Sequence, residues 1–96
     1  MTNLRHILSE NLKRLRKQNK ISQNQLAERI NSAANYISKI ESEKQFPSIE
    51  MLEKIAEALS CDTLDLFSIK NIQNDIIEKK KQELLEHLKQ DVEKSF

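Results

Sequence analysis

Two histidines, His6 and His87, one cysteine, Cys61, and 15 Asp and Glu carboxylates are the groups from which acid–base, nucleophilic or metal chemistry would have to be assembled. Their spacing assembles none of it. No Cys/His pattern suits zinc, and no nucleophile is paired with a base, so a metal site and an enzyme are both disfavoured. Both histidines read as isolated and exposed. A single cysteine cannot close an internal disulfide, so the reducing cytoplasm is the expected compartment, and Cys61 reads as a small buried hydrophobe. With no glycine in the chain, the loops that cradle nucleotide phosphates are missing as well, and no cofactor or small-molecule ligand is expected.

What remains is charge. The formal net charge of +1 hides an uneven distribution. Residues 1–44 sum to +5, residues 45–69 to −4 and residues 70–96 to zero. A basic front half facing an acidic middle suggests one surface suited to an anion. The acidic side chains of the middle segment fall mostly off its apolar stripe and read as a solvated face.

The elements that would carry that surface are helices. At 96 residues the chain forms one small domain with an appended element, and a chain of this size hides only about 60–65% of its unfolded surface. The core must come from Leu, Ile and Ala, because Tyr36, Phe46, Phe67 and Phe96 are the only aromatics. One proline and no glycine disfavour hairpins and strands. No apolar run resembles a signal peptide or a membrane span, so a soluble protein is expected.

Leu4, Leu8, Leu12 and Leu15, with Ile7 beside them, trace the stripe of a first helix reaching about Asn19. Ser22-Gln23-Asn24-Gln25 is a capping box that opens a second helix, with Leu26, Ala27 and Ile30 inward. Asn31 tolerates the left-handed conformation that ends a helix. Ser32 then caps a third helix, after a turn of about three residues, with Ile37 and Ile40 inward. Pro47 breaks the chain and Ser48 caps a fourth helix, with Ile49, Leu52, Ile55, Ala56 and Leu59 inward. Asp62 caps a last short helix carrying Leu64, Leu66 and Phe67.

From residue 70 onward the composition predicts further helix. Its apolar positions form two patches, Ile69, Ile72, Ile76 and Ile77, then Leu84, Leu85, Leu88, Val92 and Phe96. Between them Lys79-Lys80-Lys81 reads as a solvated turn of helix. A domain this small leaves the stripe uncovered, so a second chain is expected over it.

Two short helices joined by a tight turn inside a small bundle form a helix-turn-helix arrangement. Ala27 is its informative position, because a larger side chain there would hold the two helices apart. Taken with "LKRLRK", "SQNQLAERI", "NYISKIE", "FPSIEMLEKIAEAL" and "DTLDLF", the chain from Leu12 to Phe67 resembles the lambda-repressor-like, Cro/repressor-type (Xre) helix-turn-helix proteins. The resemblance implies an all-α, five-helix DNA-binding domain over 1–69, to which the chain adds a C-terminal amphipathic helix over 70–96. It departs from the family at Asn31 and Glu43, where glycine is usual, and at Ser32, where a branched apolar residue is. At Glu43 a left-handed backbone would cost about 1–2 kcal/mol, which favours running the helix another turn past Glu41 and would move Lys44 with it.

Residue roles follow from the resemblance. Ala33, Ala34, Asn35, Ser38 and Lys39 are the expected base contacts: Asn35 can pair bidentately with adenine, Lys39 can donate to guanine or to a phosphate, and the alanines can meet thymine methyls. Ser22, Gln23, Tyr36 and Lys44 are the expected phosphate contacts, Gln23 matching a family phosphate clamp at a helix N-terminus and Tyr36 having packing as its alternative role. Arg16 and Glu41 match a structural ion pair, and Ile76, Leu84, Leu88 and Val92 are the expected dimerisation residues. The function implied is a transcriptional regulator that binds a two-fold symmetric operator in double-stranded DNA as a homodimer. The alternative is a protein-interaction module that docks a partner through its C-terminal helix and has lost DNA binding.

Overall fold

A computed structural model describes residues 3–69 and 79–88. The expectations for Ile72, Ile76, Ile77, Val92 and Phe96 lie outside the described residues. Four α-helices and one 3-10 helix follow in order: α1 Leu4–Gln18, α2 Gln23–Arg29, α3 Tyr36–Glu41, α4 Ile49–Ala58 and the 3-10 helix Thr63–Phe67. Residues 79–88 are helical too, and all are exposed.

Each of these helices except α3 begins where a side chain satisfies one of its first N–H groups, whereas Asn35 at the start of α3 makes no side-chain cap bond. Asn3 accepts from the His6 N–H at 3.2 Å, and Ser48 accepts from the Met51 N–H at 3.3 Å. At α2 the capping box is complete, with Gln25 N–H to Ser22 Oγ at 3.0 Å and Ser22 N–H to Gln25 Oε1 at 2.8 Å. Asp62 and Asp65 form a comparable box at the 3-10 helix.

The helix ends are more unusual. Lys20, Asn31, Glu43 and Ser60 all adopt the left-handed conformation, with φ of 56°, 56°, 65° and 54°. Each follows an α-helix and completes a Schellman motif. After α2, for example, Asn31 N–H donates to Glu28 O at 3.0 Å and Ser32 N–H to Ala27 O at 2.9 Å. After α3, Glu43 N–H reaches Ile40 O at 3.1 Å and Lys44 N–H reaches Lys39 O at 2.9 Å. A chain without glycine therefore makes four turns that favour glycine.

Two expectations are corrected by these turns. The chain does not continue α3 past Glu41: Glu43 takes the left-handed conformation, because the paired hydrogen bonds to Ile40 and Lys39 offset its local cost. Nor does Ser32 cap α3. Its N–H and its Oγ both go backward to Ala27 O, closing α2, so the turn is longer and α3 starts only at Tyr36, with Asn35 as its N-cap residue.

The core joins the four α-helices and the 3-10 helix. Leu8, Leu12, Leu26, Ile37, Ile40, Ile55, Leu59 and Leu66 are almost wholly enclosed, and each such side chain stabilises the fold by about 1.5–3 kcal/mol relative to exposure. α1 packs on the 3-10 helix and on α3, while α4 packs on the 3-10 helix and on α2. Leu4 and Ile49, expected inward, are instead 53% and 72% exposed. Each is the first residue of its helix, where the stripe begins before the helix reaches the core. Cys61 is half-buried against the core rather than enclosed. Burial, followed by the Asp65 and Asp62 carboxylates, pushes its thiol pKa up, against a smaller lowering by Arg14.

Candidate nucleic-acid interface

Two buried isoleucines and a buried carboxylate hold α3. Ile37 and Ile40 are 0% and 1% exposed, and Ala27 at 1% lets α2 lie close against α3. Because these residues take the inward face of so short a helix, Lys39 is left exposed and Ser38 half-buried. The Ser38 hydroxyl donates to Asn35 O at 2.9 Å. Ala33, Ala34 and Asn35 are exposed as well, but they form the turn that leads into α3 and not its first helical turn. Tyr36 packs partly against the core, and that burial raises its phenol pKa. Lys44 is exposed within the turn that closes α3.

Around the two ends of this unit runs a polar network. Arg16 donates from Nε to Glu41 Oε2 at 2.9 Å and from NH2 to Glu41 Oε1 at 3.1 Å, and its NH1 reaches Ile21 O at 3.0 Å. One side chain thus ties the end of α3 to the residue just before the α2 cap. The Ser9 hydroxyl donates to the Glu41 carbonyl from α1. Gln23, at the first position of α2, is half-buried, and its Nε2 donates to Glu41 Oε1 at 3.3 Å.

Several of these partners were invisible to sequence reading. Gln23 and Glu41 lie 18 positions apart, on different helices. His6 is not isolated: its Nδ1 lies 3.3 Å from Glu43 Oε2, linking the start of α1 to the turn after α3. Asn11 is fully buried and donates to Ile7 O, Leu66 O and Ser68 O, while its Oδ1 accepts from Arg14 at 2.8 Å. Its place in the α1 stripe, between Leu8 and Leu15, was the available signal. An amide there must find polar partners inside the domain.

The helix-turn-helix geometry carries over to known proteins. A family model described as "Helix-turn-helix" matches residues 12–66, more than half of the chain. The chain belongs to this helix-turn-helix family, of Cro/repressor type. It is similar to the immunity repressor protein of Bacillus phage phi105, at 30% identity over 95 residues, covering 92% of this chain. It spans 66% of that relative's length, slightly less than two thirds. Among solved structures it is similar to a wild-type restriction-modification controller protein, with 28% identity and a TM-score of 0.62, covering 70% of this chain and 86% of that one. It is also similar to the clp gene regulator ClgR from C. glutamicum, with 26% identity and a TM-score of 0.63, covering 69% and 86%. A hypothetical transcription factor from Neisseria shares the fold, with a TM-score of 0.70 at 24% identity over 77% of this chain and 85% of that one. Among the described residues no His, Cys, Asp and Glu cluster could hold a metal ion, and no helix is long and apolar enough to cross a membrane.

Proposed function

We propose that the chain is a sequence-specific DNA-binding transcriptional regulator that works as a dimer on a two-fold symmetric operator. One observation carries the reading. The segment around α3 turns Ile37 and Ile40 into the core, and leaves Ala33, Ala34, Asn35 and Lys39 exposed next to a half-buried Ser38. Small side chains let such an edge enter a major groove closely, and the amide of Asn35 and the ammonium of Lys39 supply directional donors for adenine and guanine edges. Ser22, Gln23, Tyr36 and Lys44 act on the backbone as phosphate contacts, which set register and supply affinity without reading sequence. Residues 79–88 expose Leu84 and Leu88 at 62% and 53%. With Ile76 and Val92 these form the dimer seam, and it spaces two recognition segments by about 34 Å, one turn of DNA.

The direct test is an anisotropy titration against genomic fragments and a mixed-sequence duplex. Affinity should fall about tenfold or more from low to moderate salt, because phosphate contacts release counterions. Lys39→Ala should change sequence preference, whereas Gln23→Ala should weaken all duplexes alike. Salt-independent affinity, or equal losses for both variants on specific and mixed DNA, overturns the reading. Removing the chain after Ile69 should abolish the dimer in sedimentation analysis while the helical signal of the domain persists. A dimer that survives the cut removes the role assigned to the C-terminal segment.

A further inference from the structure

Glu41 is a carboxylate only 5% exposed, and it is engaged by more than its ion-pair partner. Arg16 already satisfies it with two parallel bonds, at 2.9 and 3.1 Å. Gln23 nevertheless adds a third donor to Oε1 at 3.3 Å. A half-buried glutamine amide does not need that bond for its own sake, since water can satisfy it. The bond does have a directional consequence. A carboxylate only accepts hydrogen bonds, so it selects the NH2 end of the amide and turns the carbonyl end away. The second N–H of Nε2 is then held at the start of α2, beside the capped Ser22.

We propose that Glu41 is a positioning residue for phosphate binding, pre-ordering the Gln23 amide through its buried carboxylate while Arg16 neutralises the charge. The proposal rests on the reading of Gln23 as a phosphate contact. It explains why an acidic side chain sits beside a surface meant for an anion: with Arg16 bonded twice to it, the pair presents a fixed acceptor and little net charge. The third Arg16 bond, to Ile21 O at 3.0 Å, fixes the backbone from which Gln23 projects. Immobilising a flexible side chain on binding costs about 0.5–1.5 kcal/mol, so ordering it beforehand improves affinity by about two- to tenfold.

The experiment compares four full-length proteins: the unsubstituted chain, Gln23→Ala, Glu41→Gln and the double variant. Each is titrated with a mixed-sequence DNA duplex at low salt, where affinity reports phosphate contacts, and its folding is checked by thermal melting. Glu41→Gln should weaken binding about two- to tenfold in the unsubstituted background and less than about twofold once Gln23 is alanine. A purely structural Glu41 would give the same loss in both backgrounds, and that result overturns the proposal. If Gln23→Ala leaves affinity unchanged, the phosphate reading itself falls and this proposal with it. If Gln23→Ala weakens binding but the losses multiply, only the positioning role falls. Should Glu41→Gln fail to fold, the unsubstituted protein decides by NMR. The Gln23 side-chain amide protons should exchange with water more slowly than those of the exposed Gln18 and Gln45, and equal exchange overturns the proposal.

Discussion

Replacing Lys20 or Ser60 by glycine should stabilise the domain, although neither substitution adds a contact. Both residues sit just past a helix end with φ of 56° and 54°, where a side chain's Cβ crowds the following carbonyl. Relieving that crowding returns about 1–2 kcal/mol. Glycine in turn frees the unfolded chain, which costs about 0.5–1 kcal/mol. The net gain is about 0.5–1 kcal/mol per site, or about 2–8 °C in Tm for a domain of this size. Asn31→Gly serves as the internal control: it has the same geometry, with φ of 56°, but asparagine tolerates the left-handed region, so its gain should be the smallest. Glu43 is a poorer test, because its carboxylate also meets His6. The single variants are the cleaner comparison, since Asn19 Nδ2 bonds Leu59 O at 3.2 Å and makes the two turns neighbours that can couple. Thermal unfolding followed by far-UV circular dichroism measures the shifts. Unchanged or lowered Tm for Lys20→Gly and Ser60→Gly, or an equal rise for Asn31→Gly, refutes the reasoning.

Two further outcomes follow from the interior. Asn11→Leu keeps the volume of a fully buried side chain but takes the donor from Leu66 O and Ser68 O. Urea denaturation should show a loss of about 2–4 kcal/mol, and a loss below about 1 kcal/mol would mean that water replaces the amide. Burial raises the Cys61 thiol pKa, with Asp65 and Asp62 adding to the shift. The folded protein therefore holds less thiolate than the unfolded chain at any pH below that raised value. Alkylation by iodoacetamide should reach half its limiting rate at a higher pH in the folded protein than in denaturant, and coincident profiles would refute this assignment.

What could be read from the sequence were the local signals. The stripe Leu8, Leu12 and Leu15, the cap at Ser22, the break at Pro47 and the cap at Ser48 each act within a turn or two of chain, and the helices lie where these signals put them. The start of α3 could not be read the same way, because Ser32 can close the helix behind it or open the one ahead. The choice went to α2, whose carbonyl of Ala27 lay within reach of both the Ser32 N–H and its hydroxyl. Glu43 fails as a local reading for a related reason: its intrinsic cost is visible in the sequence, and the two hydrogen bonds that offset it are not. Likewise the pairings of Gln23 with Glu41 and of His6 with Glu43 have no period in the chain, since they arise only once α1, α2 and α3 are packed.

The shortness of α3 decides how this surface can vary. Six residues are far too few to hold a helix by intrinsic propensity in water, so tertiary contacts must fix its position. Those contacts are Ile37 and Ile40 in the core, the Glu41 carboxylate on Arg16, the Glu41 carbonyl on Ser9, and the closing turn at Glu43 and Lys44. All of them lie on the inward face or at the C-terminal end. The exposed residues Ala33, Ala34, Asn35 and Lys39 contribute no buried side chain to that anchoring. Substitutions there should change stability by no more than about 0.5 kcal/mol, which leaves that exposed edge free to vary in sequence. Substitutions at Ile37 or Ile40 would shift the whole edge at once and, on the proposed DNA reading, should weaken every duplex together. The buried face of this six-residue helix thus carries stability, and the proposed reading places specificity on the opposite face and the leading turn.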